Sequence, residues 1–89
     1  MKKVEIYTVN YCPFCHKAKE LLDSKQIAYK EIDITENEDA YRKELGDYYN
    51  ITGVVTVPQI IIDGKRIGGL DALEELNNNG ELEKLLEAE

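Results

Sequence analysis

The stretch TVPQIIIDGKRIGG, residues 56–69, constrains the fold of this chain more than any other. A β-branched run, Gln59 to Ile62, meets the turn dipeptide Asp63-Gly64 and is followed by a second short run, Lys65 to Ile67. Two extended runs joined by Asp-Gly specify a two-residue β-hairpin, so an antiparallel pair is expected here. Upstream, KVEIYTV (3–9) places Val4, Ile6 and Thr8 on one face and Tyr7 and Val9 on the other, a strand apolar on both sides and suited to a sheet centre. Pro13 then stands in a first helical turn, where a helix tolerates it best. Phe14, Ala18, Leu21 and Leu22 recur at i, i+4, i+7 and i+8, which predicts an amphipathic helix over 13–25.

IAYKEIDI (27–34) returns to period two and reads as a second strand of mixed faces. TENE (35–38) fits a capping box between Thr35 and Glu38, opening a helix on which Tyr41, Leu45, Tyr48 and Tyr49 share a face; Gly46 weakens that helix or marks its end. Leu70, Leu73 and Leu76 begin a third helix, NNNG (77–80) stops it, and Leu82, Leu85 and Leu86 form a last helical turn or two. The order is β-α-β-α-β-β-α. Strand–helix–strand units require a right-handed parallel crossover, and the closing hairpin adds antiparallel strands. The expected fold is therefore α/β, a mixed four-stranded sheet with helices on both faces. With 89 residues the chain is long enough for one core and too short for two, so a single domain over 1–89 is expected.

Eighteen acidic against eleven basic side chains give a net charge of -7, which opposes the phosphate contacts that dominate nucleic-acid affinity. No stretch approaches the roughly 18 consecutive apolar residues of a membrane span, and MKKVEIYTV lacks the apolar core and cleavage site of a signal peptide. These features lead to the expectation of a cytoplasmic monomer without nucleic-acid or membrane partners. In that compartment, closely spaced cysteines are reactive more often than structural.

The two cysteines of the chain, Cys12 and Cys15, lie in NYCPFCH. A helix beginning beside Cys12 directs free backbone N–H groups and the positive end of its dipole at that sulfur, so Cys12 is expected to be the acidic thiol. Cysteines so placed have pKa values of about 3.5 to 7.5, against about 8.5 for a free thiol. Cys15, one helical turn on, is then the resolving thiol: Cys12 attacks a substrate disulfide, and Cys15 attacks Cys12 in the mixed disulfide. A structural staple would close a loop so short that it removes only about 2 kcal/mol of unfolded-state entropy. Zinc needs four ligands, and beyond the cysteines only His16 is near, too close in sequence to Cys15 to face the same ion easily; no metal is expected. His16 itself reads as an exposed residue of the first turn more than as a base. For Pro58 the residues alone leave the trans bond as the default. Gly68 and Gly69 fit either an ordinary strand-to-helix turn or an anion-binding nest at a helix start.

Taken together, CPFC at 12–15, TVP at 56–58 and IGGLD at 67–71 resemble the glutaredoxin family over nearly the whole chain. The resemblance implies a thioredoxin fold and a cis peptide at Pro58. It implies glutathione as cosubstrate, lying in a groove made by Phe14, Thr56, Val57, Pro58, Gly69, Leu70 and Asp71, with the Val57 backbone pairing to it like an added strand. Disulfide-bearing proteins are the implied partners. Phe14 stands where the family usually has tyrosine. The lysine common three residues before the nucleophile is Val9, and the acid common three residues after the second glycine is Ala72, with Asp71 adjacent. Arg42 or Lys43 is a candidate substitute for the missing cation. Val9 and Ala72 keep open a dithiol donor recharged by a thioredoxin-reductase-type flavoenzyme. An iron–sulfur carrier, a role that in this family goes mainly with single-cysteine CGFS sites, is disfavoured by Pro13 and the second cysteine.

Overall fold

The chain is described here by a computed structural model covering residues 2–87. Its elements are β1 (Val4–Thr8), α1 (Pro13–Ser24), β2 (Lys30–Asp33), α2 (Glu38–Tyr49), β3 (Gln59–Ile62), β4 (Lys65–Gly68), α3 (Leu70–Asn78) and α4 (Glu81–Glu87). The strands form one sheet in the order β2-β1-β3-β4. β1 pairs parallel with β2, Ile6 opposite Glu31, and antiparallel with β3, Ile6 opposite Ile60. The Asp63-Gly64 hairpin forms as expected, both turn residues at positive φ, and β4 continues the sheet past an irregularity between Ile60 and Ile61.

Strand alternation divides the apolar residues between two layers. Val4, Ile6, Ile60 and Ile62 meet Ala18 and Leu22 of α1, Leu73 of α3, and Leu82 and Leu86 of α4. On the other side of the sheet, Tyr7, Val9, Ile32, Ile34 and Val57 gather with both cysteines and with Tyr41 of α2. Helices thus cover both faces, and β1 is central, paired with β2 on one side and β3 on the other.

Local details depart from the sequence reading. The Thr35/Glu38 capping box does not form: Thr35–Asn37 is a short 3₁₀ turn, and the Thr35 side chain is engaged by Asp33 and by the Asn10 N–H instead. The Glu38 carboxylate turns outward to Tyr11 and Arg42. The second strand is half the expected length, because Gln26 at φ 58 turns the chain and the Ile27 N–H closes back on Leu22. Phe14 is 58% exposed, and the buried stripe of α1 runs through Cys15, Ala18 and Leu22. Tyr48 is likewise exposed, leaving Leu45 as the buried residue of α2. Gly46 does not end α2; a Cβ there would lie 3.3 Å from the Val55 side chain, so the glycine admits the following loop close to the helix. Asn50, in the left-handed conformation, ends it.

Candidate active site

β1 delivers the chain to Cys12, just beyond the C-terminal end of the strand. Cys12 is extended (φ -104°, ψ 110°) and caps α1, with Pro13 at the first helical position. The Cys15 N–H donates to Cys12 Sγ at 3.2 Å, so a free amide of the first turn points at the sulfur. This is the electrostatic arrangement that the spacing of the motif predicts. The Cys12 thiol can in turn donate to the Val57 carbonyl, 3.7 Å away, the residue whose bond to Pro58 is cis.

The two sulfurs are unequal. Cys15 is fully enclosed, whereas Cys12 retains 8% exposure at the surface. Burial, with the hydrogen bond to Cys12 and the Cys12 charge adding to it, pushes the Cys15 thiol up to about 12; a Val9 backbone hydrogen bond and the Lys19 charge act in the opposite sense. Both cysteines are free, not joined in a disulfide. Lys19 is anchored by Glu31 at 2.9 Å, and Glu31 also accepts a hydrogen bond of 2.7 Å from Thr8, a hydroxyl buried between β1 and β2. The Lys19 and Thr8 hydrogen bonds hold the Glu31 carboxyl below its ordinary range.

Beside Val57 runs a groove of about 520 Å³. Phe14 and Thr56 to Pro58 form one wall, and Gly69 to Asp71, at the start of α3, form the other. All seven residues that the resemblance assigns to ligand contact therefore border one concavity. Gly68 and Gly69 permit this geometry. Gly68 sits at φ 125°, where its Cβ would come within 3.3 Å of the Ala72 side chain, and a Cβ on Gly69 would meet the Pro58 carbonyl at 3.4 Å. The first amides of α3 have no intrahelical acceptors, and the residues that carry them, Leu70 to Ala72, border this groove.

A second network braces the loop before Pro58. Arg42 donates to the Val55 carbonyl and to Glu38 at 2.8 Å, and Glu38 accepts from the Tyr11 hydroxyl at 2.6 Å. Arg42 is thus committed to protein partners, Lys43 pairs with Asp47, and Val9 is buried against the cysteines. His16 is exposed. No cluster of three or more potential metal-ligating His, Cys, Asp or Glu occurs among the described residues, and no described helix is long and apolar enough to cross a membrane. A cavity of about 560 Å³ on the α2 side is lined by Tyr7, Tyr41, Tyr48 and Tyr49 and has no cysteine in its lining. Sequence reasoning missed Arg66, which also borders the groove, and Gln59, to which it is bonded; their only signal was position, in and beside the hairpin.

The profile of the family described as Glutaredoxin matches residues 4–67. The chain is 46% identical over 86 residues to Glutaredoxin 3 of Escherichia coli (strain K12), covering 97% of this chain and 99% of that protein. It is 45% identical over 84 residues to Glutaredoxin 1 of Rickettsia bellii, covering 94% and 86%. The crystal structure of a buckwheat glutaredoxin–glutathione complex superposes with a TM-score of 0.84 at 31% identity, over 96% of this chain and 76% of that one.

Proposed function

This chain belongs to the glutaredoxin family of thiol–disulfide oxidoreductases, and on that premise we propose that it reduces protein disulfides and glutathione mixed disulfides with glutathione as the reductant. Cys12 is the attacking sulfur. The observation that carries this assignment is the amide hydrogen bond from Cys15 to Cys12 Sγ at a helix start, on the more exposed of the two sulfurs. Attack by the Cys12 thiolate forms the Cys12–substrate disulfide and expels the other substrate sulfur as thiolate, which takes a proton from solvent.

Two routes lead on from the mixed disulfide. In one, Cys15 loses its proton and displaces the substrate thiolate from Cys12, leaving a Cys12–Cys15 disulfide that two glutathione thiols reduce, releasing glutathione disulfide. In the other, the moiety left on Cys12 is glutathione itself, and a second glutathione thiol removes it as the disulfide. Once Cys12 is in a mixed disulfide, both its charge and its hydrogen bond with the Cys15 thiol are gone, and these are two of the influences holding Cys15 protonated. Cys15 therefore gives up its proton more readily once Cys12 has reacted, although burial, the largest influence, remains. The groove bordered by Phe14, Thr56, Val57, Pro58, Gly69, Leu70 and Asp71 holds the glutathione, its cysteine backbone pairing with Val57 and its far carboxylate meeting the first amides of α3. The solved glutathione complex of the buckwheat relative supports this reading.

Cys12→Ser should abolish turnover of every disulfide. Cys15→Ser should retain reduction of a glutathione mixed disulfide in a glutathione reductase-coupled assay and lose most reduction of an intramolecular protein disulfide; the reverse pattern would invert the roles. A second reading draws on Val9, which puts a buried apolar side chain where the family usually has a cation: electrons come from a thioredoxin-reductase-type flavoenzyme. Faster turnover with thioredoxin reductase than with glutathione plus glutathione reductase would select it.

A further inference from the structure

Among the described residues, Arg66 is the sole basic one bordering the groove. Its side chain is not free to wander: Nε donates to Gln59 Oε1 at 3.0 Å, and Gln59 is 2% exposed. Gln59 is itself oriented, because its Nε2 donates to the Thr56 carbonyl at 2.8 Å. A carbonyl can only accept, so the amide nitrogen must face Thr56 and the amide oxygen must face Arg66. The buried glutamine therefore couples the loop before Pro58 to the guanidinium and uses only Nε in doing so. The two terminal nitrogens of Arg66 make no hydrogen bond or ion pair with the described residues. They form an unsatisfied planar fork, the geometry that matches a carboxylate bidentately.

Arg42 holds Glu38 and the Val55 carbonyl, Lys43 pairs with Asp47, and Lys19 is held by Glu31. Asp71, across the groove, is not within ion-pair distance of Arg66, so the groove presents separated charges of opposite sign rather than a closed pair. On a chain of net charge -7, an oriented and unpaired arginine in a concave site is a local exception to the surrounding field. We propose that Arg66, positioned by Gln59, forms a carboxylate-binding subsite that makes the groove selective for anionic disulfide substrates. The subsite rests on the reading of this groove as the place where the substrate lies. The carboxylate belongs either to the glutathione moiety or to an acidic side chain next to the reactive cysteine of a protein substrate.

Single-turnover kinetics with the pre-reduced protein, in the absence of free glutathione, test this. In one arm the substrate is the mixed disulfide of glutathione and 2-mercaptoethanol, with its carboxylates free or esterified. In the other it is a disulfide-bonded peptide carrying Glu or Gln beside the reactive cysteine. The wild type should react about threefold to tenfold faster with the carboxylate form in at least one arm, the range of one charge-assisted contact at a partly exposed site. Arg66→Gln and Gln59→Leu should narrow the difference between the two rates, leaving in the first arm only the share due to the α3 amides, Arg66→Lys should restore part of what is lost, and added salt should erode the difference in the wild type. A preference confined to the first arm assigns the carboxylate to glutathione, and one confined to the second assigns it to an acidic protein. A wild type that does not discriminate in either arm, or a preference undiminished by Arg66→Gln, overturns the subsite. A wild type inert to the glutathione mixed disulfide but selective among the peptides overturns the glutathione reading and leaves the subsite standing. Reaction with neither substrate overturns both.

Discussion

At the scale of single residues, the chemistry turns on the difference between two identical side chains three positions apart. Cys12 has a helix amide directed at it and a partly open surface, whereas Cys15 is enclosed and held protonated, its thiol pushed up to about 12 chiefly by burial. Brief treatment of the reduced protein with iodoacetamide at pH 7 should therefore alkylate Cys12 alone, Cys15 reacting only after unfolding; peptide mass spectrometry reads both sites, and prior modification of Cys15 in the native protein would refute the asymmetry. The motif made the positions of nucleophile and partner legible, because a helix start is written in Pro13 and in the spacing of the cysteines. The enclosure of Cys15 was not legible, since it depends on Val9, Ile34 and Tyr41 arriving from three other segments. Phe14 illustrates the same limit: its i, i+4 relation to Ala18 suggested burial, whereas it is exposed and borders the groove, where the family resemblance had put it.

At the scale of elements, the site is a junction of four segment ends: the end of β1, the start of α1, the loop before β3 and the turn from β4 into α3. The last of these is the least tolerant. Gly68 holds φ 125°, which side-chain-bearing residues rarely adopt, and a Cβ there would press on Ala72. Gly68→Ala should lower stability by about 1 to 3 kcal/mol in urea denaturation, the range for backbone strain of this kind, and a change below about 0.5 kcal/mol would show that the turn relaxes freely. Element identity was largely readable from periodicity and turn chemistry, the hairpin most clearly. Element ends were not. The predicted capping box failed because Thr35 found closer partners in Asp33 and Asn10, and Glu38 was drawn to Tyr11 and Arg42, contacts between residues as many as 27 positions apart.

At the scale of the whole molecule, the buried thiol links the active site to stability. A thiol whose folded pKa is raised is protonated in the folded chain over a range where the unfolded chain has already ionised. Its contribution is fully present below about pH 9 and is lost as pH rises toward 12. The reduced wild type should thus lose stability between pH 9 and 10 more steeply than Cys15→Ser, by up to about 1 kcal/mol per pH unit; Tyr7, Tyr11, Tyr29 and Tyr49, whose hydroxyls are also shifted upward, are common to both proteins. Parallel urea midpoints across that range would contradict it. By itself the sequence determined the element order, the mixed sheet and the reactive pair, because periodicity, turn dipeptides and helix-start chemistry act over a few neighbouring residues. Only the tertiary structure decided the enclosure of Cys15 and the alignment by which Gln59 holds Arg66 at the groove. Each of these is set by the packing of segments far apart in the chain, which no local pattern encodes.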